Sequence, residues 1–502
     1  MHGEGPHRRR TTLESYGGVK VRTSLVKPCD AGELGEVLRG NDLPCVTFRD
    51  GGHAFDTQSL NDTLVVSLAD LRRIDVDEAK ATVTAGAGAT WGDILRETSK
   101  RGLVPHVMVT TSHACAAGTL SSDSLSRFSP TLGREGHHVE RFSLVPMRAP
   151  FEPLECSRTQ NPELFGTAIG GLGYVGAVVD VTHRLLRVPT RPGEIIAVAT
   201  TFEKVQGLEQ IAARLLSHVR LHAHKGKWRS TSEALTKAAQ APLDEACAVS
   251  VAVNMMWKET GLVATSRYVS VPPSALHRSV FHSPSSFGSW ALQIAALFPV
   301  LRTIGYWFVF EWGYKKPEKY VDELAGYTFF EDSNRNLRYL LRFLGFPMGI
   351  RQQTYIVPFD PDALEASERN LAEFLREAKT LFDERKLSPT LLDVLYMPDE
   401  GADSFALSSS RRLPGYAVTF TFEKLWSTRF AREEAALSEL AVRCDERGGR
   451  VHLVKNVCAP DGLVAGQYAE GVTRMDDVRR KTGARDRLYN GFLRRVLPRL
   501  AP

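Results

Sequence analysis

The feature that most constrains this chain is a series of four small-residue turns in its first third, each following or flanking a short apolar strand. The first is Arg49-Asp50-Gly51-Gly52-His53-Ala54-Phe55-Asp56, directly after the apolar run Pro44 to Phe48. Glycines there let the backbone turn sharply and approach a ligand, and successive N–H groups form a nest that suits a pyrophosphate. The second is Thr84-Ala85-Gly86-Ala87-Gly88-Ala89-Thr90-Trp91-Gly92-Asp93, the third Ala116-Ala117-Gly118-Thr119-Leu120. The fourth runs from Asn161-Pro162-Glu163-Leu164-Phe165 into Gly170-Gly171-Leu172-Gly173-Tyr174-Val175-Gly176. Their spacing predicts loops converging on one extended ligand. None matches the Gly-x-Gly-x-x-Gly of a dinucleotide-binding βαβ unit, and no Walker lysine is present, so a dinucleotide held without those folds is the reading that remains.

Around these turns the pattern is α+β. Leu64–Leu68, Ala81–Ala85 and Val175–Val181 read as strands and Trp91–Arg101 as a helix. Further on, Ile195–Phe202, Ala246–Val253, Thr390–Met397 and Tyr416–Phe422 read as strands, Asp360–Glu384 and Ala431–Gly448 as amphipathic helices. The segment after Lys455 is charged and helical in character. Residues 286–312 are strongly apolar but carry Pro299 and Arg302. A central charge opposes a bilayer span, which leaves a buried helical hairpin or a segment lying in a membrane interface.

Composition narrows the class. The chain has 502 residues and a formal net charge of +5. Its clearest basic run, His7-Arg8-Arg9-Arg10, reads as a frayed, solvated tail without a nucleic-acid motif. The seven cysteines are scattered and odd in number. That argues against a disulfide framework or a metal site and for a reducing, cytoplasmic setting, with the apolar insert favouring peripheral contact with a membrane surface. No apolar h-region follows the basic N-terminus.

The ordered set Gly-Gly-His, Ala-Gly-Ala-x-x-x-Trp-Gly-Asp, Gly-Thr-Leu, and Asn-Pro-Glu-Leu-Phe with Gly-Gly-x-Gly resembles the vanillyl-alcohol oxidase/p-cresol methylhydroxylase (PCMH-type) flavoprotein superfamily over roughly residues 20 to 190. Three later runs are similar in order to decaprenylphosphoryl-ribose oxidase: Gln352 to Pro358, Leu413 to Thr419 and Val451 to Lys455. The apolar insert resembles that of the delta-24 sterol reductases.

The resemblance implies a split FAD-binding domain of two subdomains, residues 1–190 plus 449–502, around an inserted substrate domain, 191–448, of antiparallel sheet and helices. It implies that Gly51, Gly52, His53, Ala54, Phe55 and Asp56 hold the FAD pyrophosphate, and that Gly86, Thr111, Gly118, Thr119, Gly171, Gly173 and Gly176 line the rest of the cofactor. His53 stands where several members bond the flavin covalently; a covalent link and a merely hydrogen-bonding histidine both remain open. Thr111 and Ser112 occupy the region of a second, cysteinyl link, with Cys115 displaced from it. Lys455, Tyr416 and Gln352 would act on substrate and flavin, and His452 would stand against the flavin.

The chain departs from the ribose-lipid oxidases at Ser129-Pro130, Ala417 and Thr419, where that family carries histidines, asparagine and cysteine. His137 and His138 read as structural. The expected activity is hydride transfer from an alcohol of a glycosyl, polyol or lipid-like substrate to flavin N5. Reduction of an isolated carbon–carbon double bond, and cyclisation or isomerisation without net redox, are the alternatives.

Overall fold

The computed structural model describes residues 8–40, 45–215, 247–254, 259–279, 291, 293–295, 297–307, 318–360, 362–397 and 405–502. Helix and sheet are mixed, as the α+β pattern anticipates, and three sheets follow one another along the chain. The first comprises β1 (Arg9–Glu14), β2 (Lys20–Val26), β3 (Val46–Arg49) and β4 (Leu64–Ser67) in the order β1-β2-β4-β3. Arg9 and Arg10 pair with Leu25 and Ser24 in an antiparallel hairpin, so the basic run enters an edge strand with its side chains exposed rather than fraying. Strands β3 and β4 run parallel and are joined by the first glycine turn.

The second sheet contains β5 (Ile74–Asp77), β6 (Thr82–Gly86), β7 (Leu103–Pro105), β8 (Val139–Val145), β9 (Leu154–Ser157) and β10 (Ala177–Arg187). Its order is β5-β6-β10-β8-β9, with β7 also on β10. The long β10 begins where the fourth turn ends and pairs with three strands, so the second and fourth turns leave the same sheet.

The third sheet is antiparallel. It holds β11 (Ile195–Gln206), β12 (Cys247–Asn254), β13 (Thr260–Val271), β14 (Glu318–Glu323), β15 (Met348–Pro358), β16 (Leu391–Met397), β17 (Gly415–Leu425) and β18 (Arg450–Val451), in the order β14-β11-β13-β12-β16-β17-β15-β18. Helices Leu364–Glu384 and Ala431–Glu446 cover one face, where Phe374 and Phe382 pack edge-on against Tyr355, Phe420 and Phe422. Residues alternate across a strand, so register sorts the two faces. Gln352 stands opposite Thr421, while Thr354 and Asp393 both stand opposite Thr419, and all lie on the face away from those helices.

The C-terminal segment returns to the first sheet through Leu488, which bridges to Val46, while helix Leu463–Gln467 packs against β18 and helix Ala469–Thr482 against helix Pro162–Ala168. The N–H of Val46 donates to the Arg487 carbonyl at 2.8 Å. Asn490 Nδ2 donates to the carbonyls of Thr57, Gln58 and Leu60 at 2.8–3.0 Å. In the apolar insert the described helix Pro299–Trp307 inverts the buried-hairpin expectation. Val300, Leu301 and Ile304 are exposed, while Arg302 is buried and donates to the Ser388 carbonyl. Residues 286–290, 292, 296 and 308–312 of the insert lie outside the described residues. No helix among the described residues is long and apolar enough to cross a membrane.

Candidate functional site

The first turn carries the strongest local signal. Gly52 has φ +73°, the left-handed region in which a side chain is strained. The carbonyls of Ala54 and Phe55 accept from the N–H groups of Tyr16 and Gly17 at 2.8 and 3.1 Å. Among the described residues no hydrogen bond is made by the N–H groups of Gly52, His53, Ala54 and Phe55. Beside them, Arg49 Nη1, Asp50 Oδ1 and His53 Nδ1 are buried without a hydrogen-bond partner. Buried polar atoms are seldom left unsatisfied, so this constellation fits a polar, partly anionic ligand such as the FAD pyrophosphate. Burial pushes Asp50 up to about 7 against the opposing charge of Arg49, and burial together with Arg335 lowers His53 to about 4. His53 is therefore neutral near pH 7, with its ring 5.9 Å from that of Tyr16.

The other residues expected on the cofactor separate into groups. An added Cβ at Gly118 would touch the Asp50 carboxyl at 3.4 Å, and one at Gly173 would meet nothing nearby. Gly86, Gly171 and Gly176 instead face protein: a Cβ there would collide with the carbonyls of Leu71, Thr167 and Val145, so these glycines permit close packing between segments. The Thr119 hydroxyl is already engaged, accepting from Trp91 Nε1 and donating to Glu135 Oε1, each at 2.9 Å. Thr111 donates to Asp332 Oδ1 at 2.7 Å, and Ser112 N donates to the same oxygen at 3.0 Å. These bonds fasten the third-turn region to the start of helix Asp332–Phe343. Asp56 pairs with Arg495 at 2.6 Å, joining the first turn to the last helix. Among the described residues no cluster of His, Cys, Asp or Glu is arranged to hold a metal ion.

Lys455 lies in the turn after the two-residue strand β18, not on a strand with alternating burial. Its ammonium sits 4.3 Å from the centroid of the Phe55 ring, against the first turn. Burial lowers its pKa, while Glu331 and Asp393 oppose that shift. No carboxylate among the described residues is within ion-pair distance of it. Gln352 is buried on the neighbouring sheet face; its Nε2 donates to Thr421 Oγ1 at 2.8 Å and its Oε1 has no partner. His452 Nδ1 lies 3.0 Å from Ser409 Oγ, and burial holds the ring well below its ordinary pKa, hence neutral.

Tyr416 is placed elsewhere. Its position in β17 has the opposite parity to Thr419 and Thr421, so it points under helix Leu364–Glu384. There its ring packs on Phe359 and Tyr396, on the far side of the sheet from Gln352. A tyrosine in that position does not reach a ligand held on the polar face.

Several residues at the site carried no motif. Asp393 interrupts the apolar strand Leu391–Met397 and projects from its polar face, and this lone acid is the one signal a reading of the strand offered. Burial pushes it up to about 6, opposed by Arg127 and Lys455 and reinforced by Glu331. No side chain among the described residues bonds to its carboxyl. Glu331 precedes helix Asp332–Phe343, and from that helix Arg338 reaches both Glu423 (3.3 Å) and the face of the Tyr16 ring (4.5 Å). Burial raises Tyr16 to about 12. Lys455, Asp393 and Glu331 thus bear on one another electrostatically, yet none is paired, and the Phe55 loop and the Gln352 face adjoin them.

Residues 25–147 match the family model of an FAD-binding domain. The chain is 30% identical over 184 residues to cytokinin dehydrogenase 2 of Arabidopsis thaliana, covering 35% of this chain and 36% of that protein. It is 32% identical over 137 residues to cytokinin dehydrogenase 1 of the same plant, covering 26% of this chain and 24% of that protein. An uncharacterized oxidoreductase of the fasciation locus of Rhodococcoides fascians is 32% identical over 165 residues, covering 32% of this chain and 37% of that protein. The matched stretch spans 24–37% of the length of these relatives. Residues 25–147, which include the first turn, are thus similar to an FAD-binding domain, and the relatives that share this stretch are oxidoreductases.

Proposed function

We propose that the protein is an FAD-dependent oxidoreductase that oxidises an alcohol of a glycosyl, polyol or lipid-like substrate. Residues 1–190 and 449–502 hold the cofactor, and residues 191–448 present the substrate. FAD, when bound, supplies the N5 atom that takes hydride from the substrate carbon. The first-turn N–H groups and His53 hold the dinucleotide. Gln352, with its free Oε1 on the polar sheet face, orients a donor group of the substrate. Lys455 places a compact positive charge in a poorly solvated space, where it stabilises negative charge far more than in water.

The observation that carries this reading is the unpaired set Lys455, Asp393 and Glu331 beside the Phe55 loop. Charges left apart inside a protein call for a ligand between them. The exposed Val300, Leu301, Ile304 and Phe343 support contact with a membrane surface, which suits a lipid-like substrate.

Anaerobic mixing tests the activity. Bleaching of the flavin by an alcohol supports oxidation. Bleaching by NADPH alone supports reduction of a carbon–carbon double bond, and bleaching by neither supports chemistry without net redox. The relatives' names favour a second reading, in which a cytokinin is the substrate; bleaching by a cytokinin and by no alcohol would replace the first reading with it.

A further inference from the structure

We propose that Asp393 is the proton acceptor of the reaction, taking the hydroxyl proton of the substrate alcohol as hydride leaves the adjacent carbon. The proposal rests on the alcohol-oxidation reading above.

The geometry comes first. In β16 Asp393 stands opposite Thr419 of β17, which stands opposite Thr354 of β15; Thr354 and Thr419 bond to each other through their hydroxyls at 2.8 Å. The Thr354 carbonyl then accepts from the N–H of His452 at 2.9 Å, three residues before Lys455. One cross-strand row therefore runs from the Asp393 carboxyl to the turn that carries the lysine. The threonines along it are satisfied by each other, and Asp393 alone in the row ends in an ionisable group that no side chain engages. The residue as a whole is half-buried on the polar face of the sheet.

The other titratable groups are less suited. Tyr416 is on the opposite face. Lys455 is seated over the Phe55 ring and already has the charge-stabilising role proposed above. Asp50 and His53 belong to the first turn, where Arg49 and Tyr16 surround them. An acceptor is most effective when its pKa lies near the working pH, and burial sets Asp393 at about 6. The groups facing it are Arg127, from the segment after the third turn, Glu331 at the start of its helix, and Lys455.

The step balances within the reductive half-reaction. The C–H electron pair and its hydrogen leave the carbinol carbon for the flavin, the O–H proton goes to Asp393, and a carbonyl remains. The carboxyl returns its proton to solvent as product departs.

The test uses the holoprotein, with xylitol, methyl glucopyranoside and farnesol as polyol, glycosyl and lipid-alcohol probes. With a probe that bleaches the wild-type flavin, Asp393→Asn should reduce it ~100-fold more slowly or worse, with an unchanged flavin content. The wild-type rate should rise with pH through about 6 and level off, and this limb should vanish in the variant. A second readout needs no substrate. Ionising a poorly solvated carboxyl disfavours the wild-type fold, so the melting temperature of Asp393→Asn should gain on that of wild type as pH rises from 5 to 7.5. Equal reduction rates, a limb that survives in the variant, or a pH-independent melting difference would each overturn the assignment. Should the variant not fold, absence of the limb in wild type overturns it. Failure of all three probes to bleach wild type removes the alcohol reading itself, and this inference with it.

Discussion

The Lys455 ammonium rests 4.3 Å from the centroid of the Phe55 ring, so the cation proposed to act on the substrate is seated on the loop proposed to hold the cofactor. The ring face attracts the charge without neutralising it, and so keeps the ammonium aimed and available. Lys455→Ala should retain bound FAD and slow anaerobic flavin reduction by ~100-fold or more, the scale of losing one well-placed electrostatic contact. Lys455→Arg should rescue only part of this, because a planar guanidinium does not replace a compact ammonium. A wild-type reduction rate in the alanine variant, measured by stopped flow, would make Lys455 a bystander.

Gln58 connects the same two segments through the backbone. Its Nε2 donates to the carbonyls of Leu453 and Lys455 at 3.2 and 3.0 Å, and its Oε1 accepts from the N–H of Asp56 at 3.0 Å. Gln58→Ala leaves three buried or half-buried backbone groups without partners, each worth about 1–3 kcal/mol when unsatisfied. A loss of at least ~2 kcal/mol in urea unfolding is expected, together with slower flavin reduction as the Lys455 turn loosens. An unfolding midpoint equal to wild type would show that water replaces the glutamine without penalty.

His53 offers a buried, neutral ring whose Nδ1 has no partner, next to the row of free N–H donors. That setting suits a bond to the flavin. Acid-precipitated protein should therefore retain its yellow colour, and His53→Ala should release FAD into the supernatant under the same treatment. Complete release from the unmodified protein would leave His53 as a neighbour of the cofactor only.

Local chemistry explains what could be read from the chain beforehand. The Arg49–Asp56 turn was visible because glycine and a preceding apolar strand announce close backbone approach, and some strands of each sheet, such as Leu64–Leu68, Val175–Val181 and Ile195–Phe202, showed through their apolar and β-branched runs. The side of the sheet on which a residue falls was not visible. Tyr416 and Thr419 lie three apart in one strand and so point to opposite faces, but only the packing of the helices shows which of the two faces is covered. Gly86, Gly171 and Gly176 read like ligand-facing glycines because the need for a missing side chain looks the same whether a cofactor or a carbonyl stands opposite. Asp393 and Glu331 gain their interest from a lysine that is distant in sequence, and no spacing rule links them.

The surface around the insert makes a separate prediction. Phe343 is 88% and Val300 72% exposed. Trp426 lies 6.0 Å from Phe298 and 6.1 Å from Phe346, ring to ring, which brings apolar side chains from three segments together. Large exposed aromatics in a cluster favour an interface with lipid. Phe343→Ser with Val300→Ser should lower partitioning onto liposomes of mixed neutral and anionic lipid and leave flavin content unchanged. Identical sedimentation of variant and wild type with the vesicles would remove the membrane reading. The residues Phe308 and Phe310 of the same insert lie outside the described residues, so the exposed positions are the better targets.

Acid should destabilise the fold through histidines that serve no catalytic end. His106 and His138 stack with ring centroids 4.0 Å apart and planes 4° from parallel. Each has one ring nitrogen in reach of a backbone carbonyl, Arg184 at 3.1 Å for His106 and Leu132 at 2.5 Å for His138. Two cations cannot share that contact, and burial lowers His106 to about 4 and His138 well below its ordinary value. His137, half-buried, accepts from the N–H of Arg134 at 3.0 Å and is likewise lowered to about 4 by desolvation. The unfolded chain binds protons at these sites near pH 6.5 and the folded chain does not, so stability is complete above that pH and declines as pH falls toward 4. His106 and His137, lowered to about 4, each contribute up to about 3 kcal/mol over that window. The melting temperature should therefore fall steeply between pH 6.5 and 4.5, and His106→Phe, which keeps a ring in the stack but no titrating group, should make the fall shallower. If the two proteins lose stability in parallel over that range, His106 is not among the groups that set the acid limit.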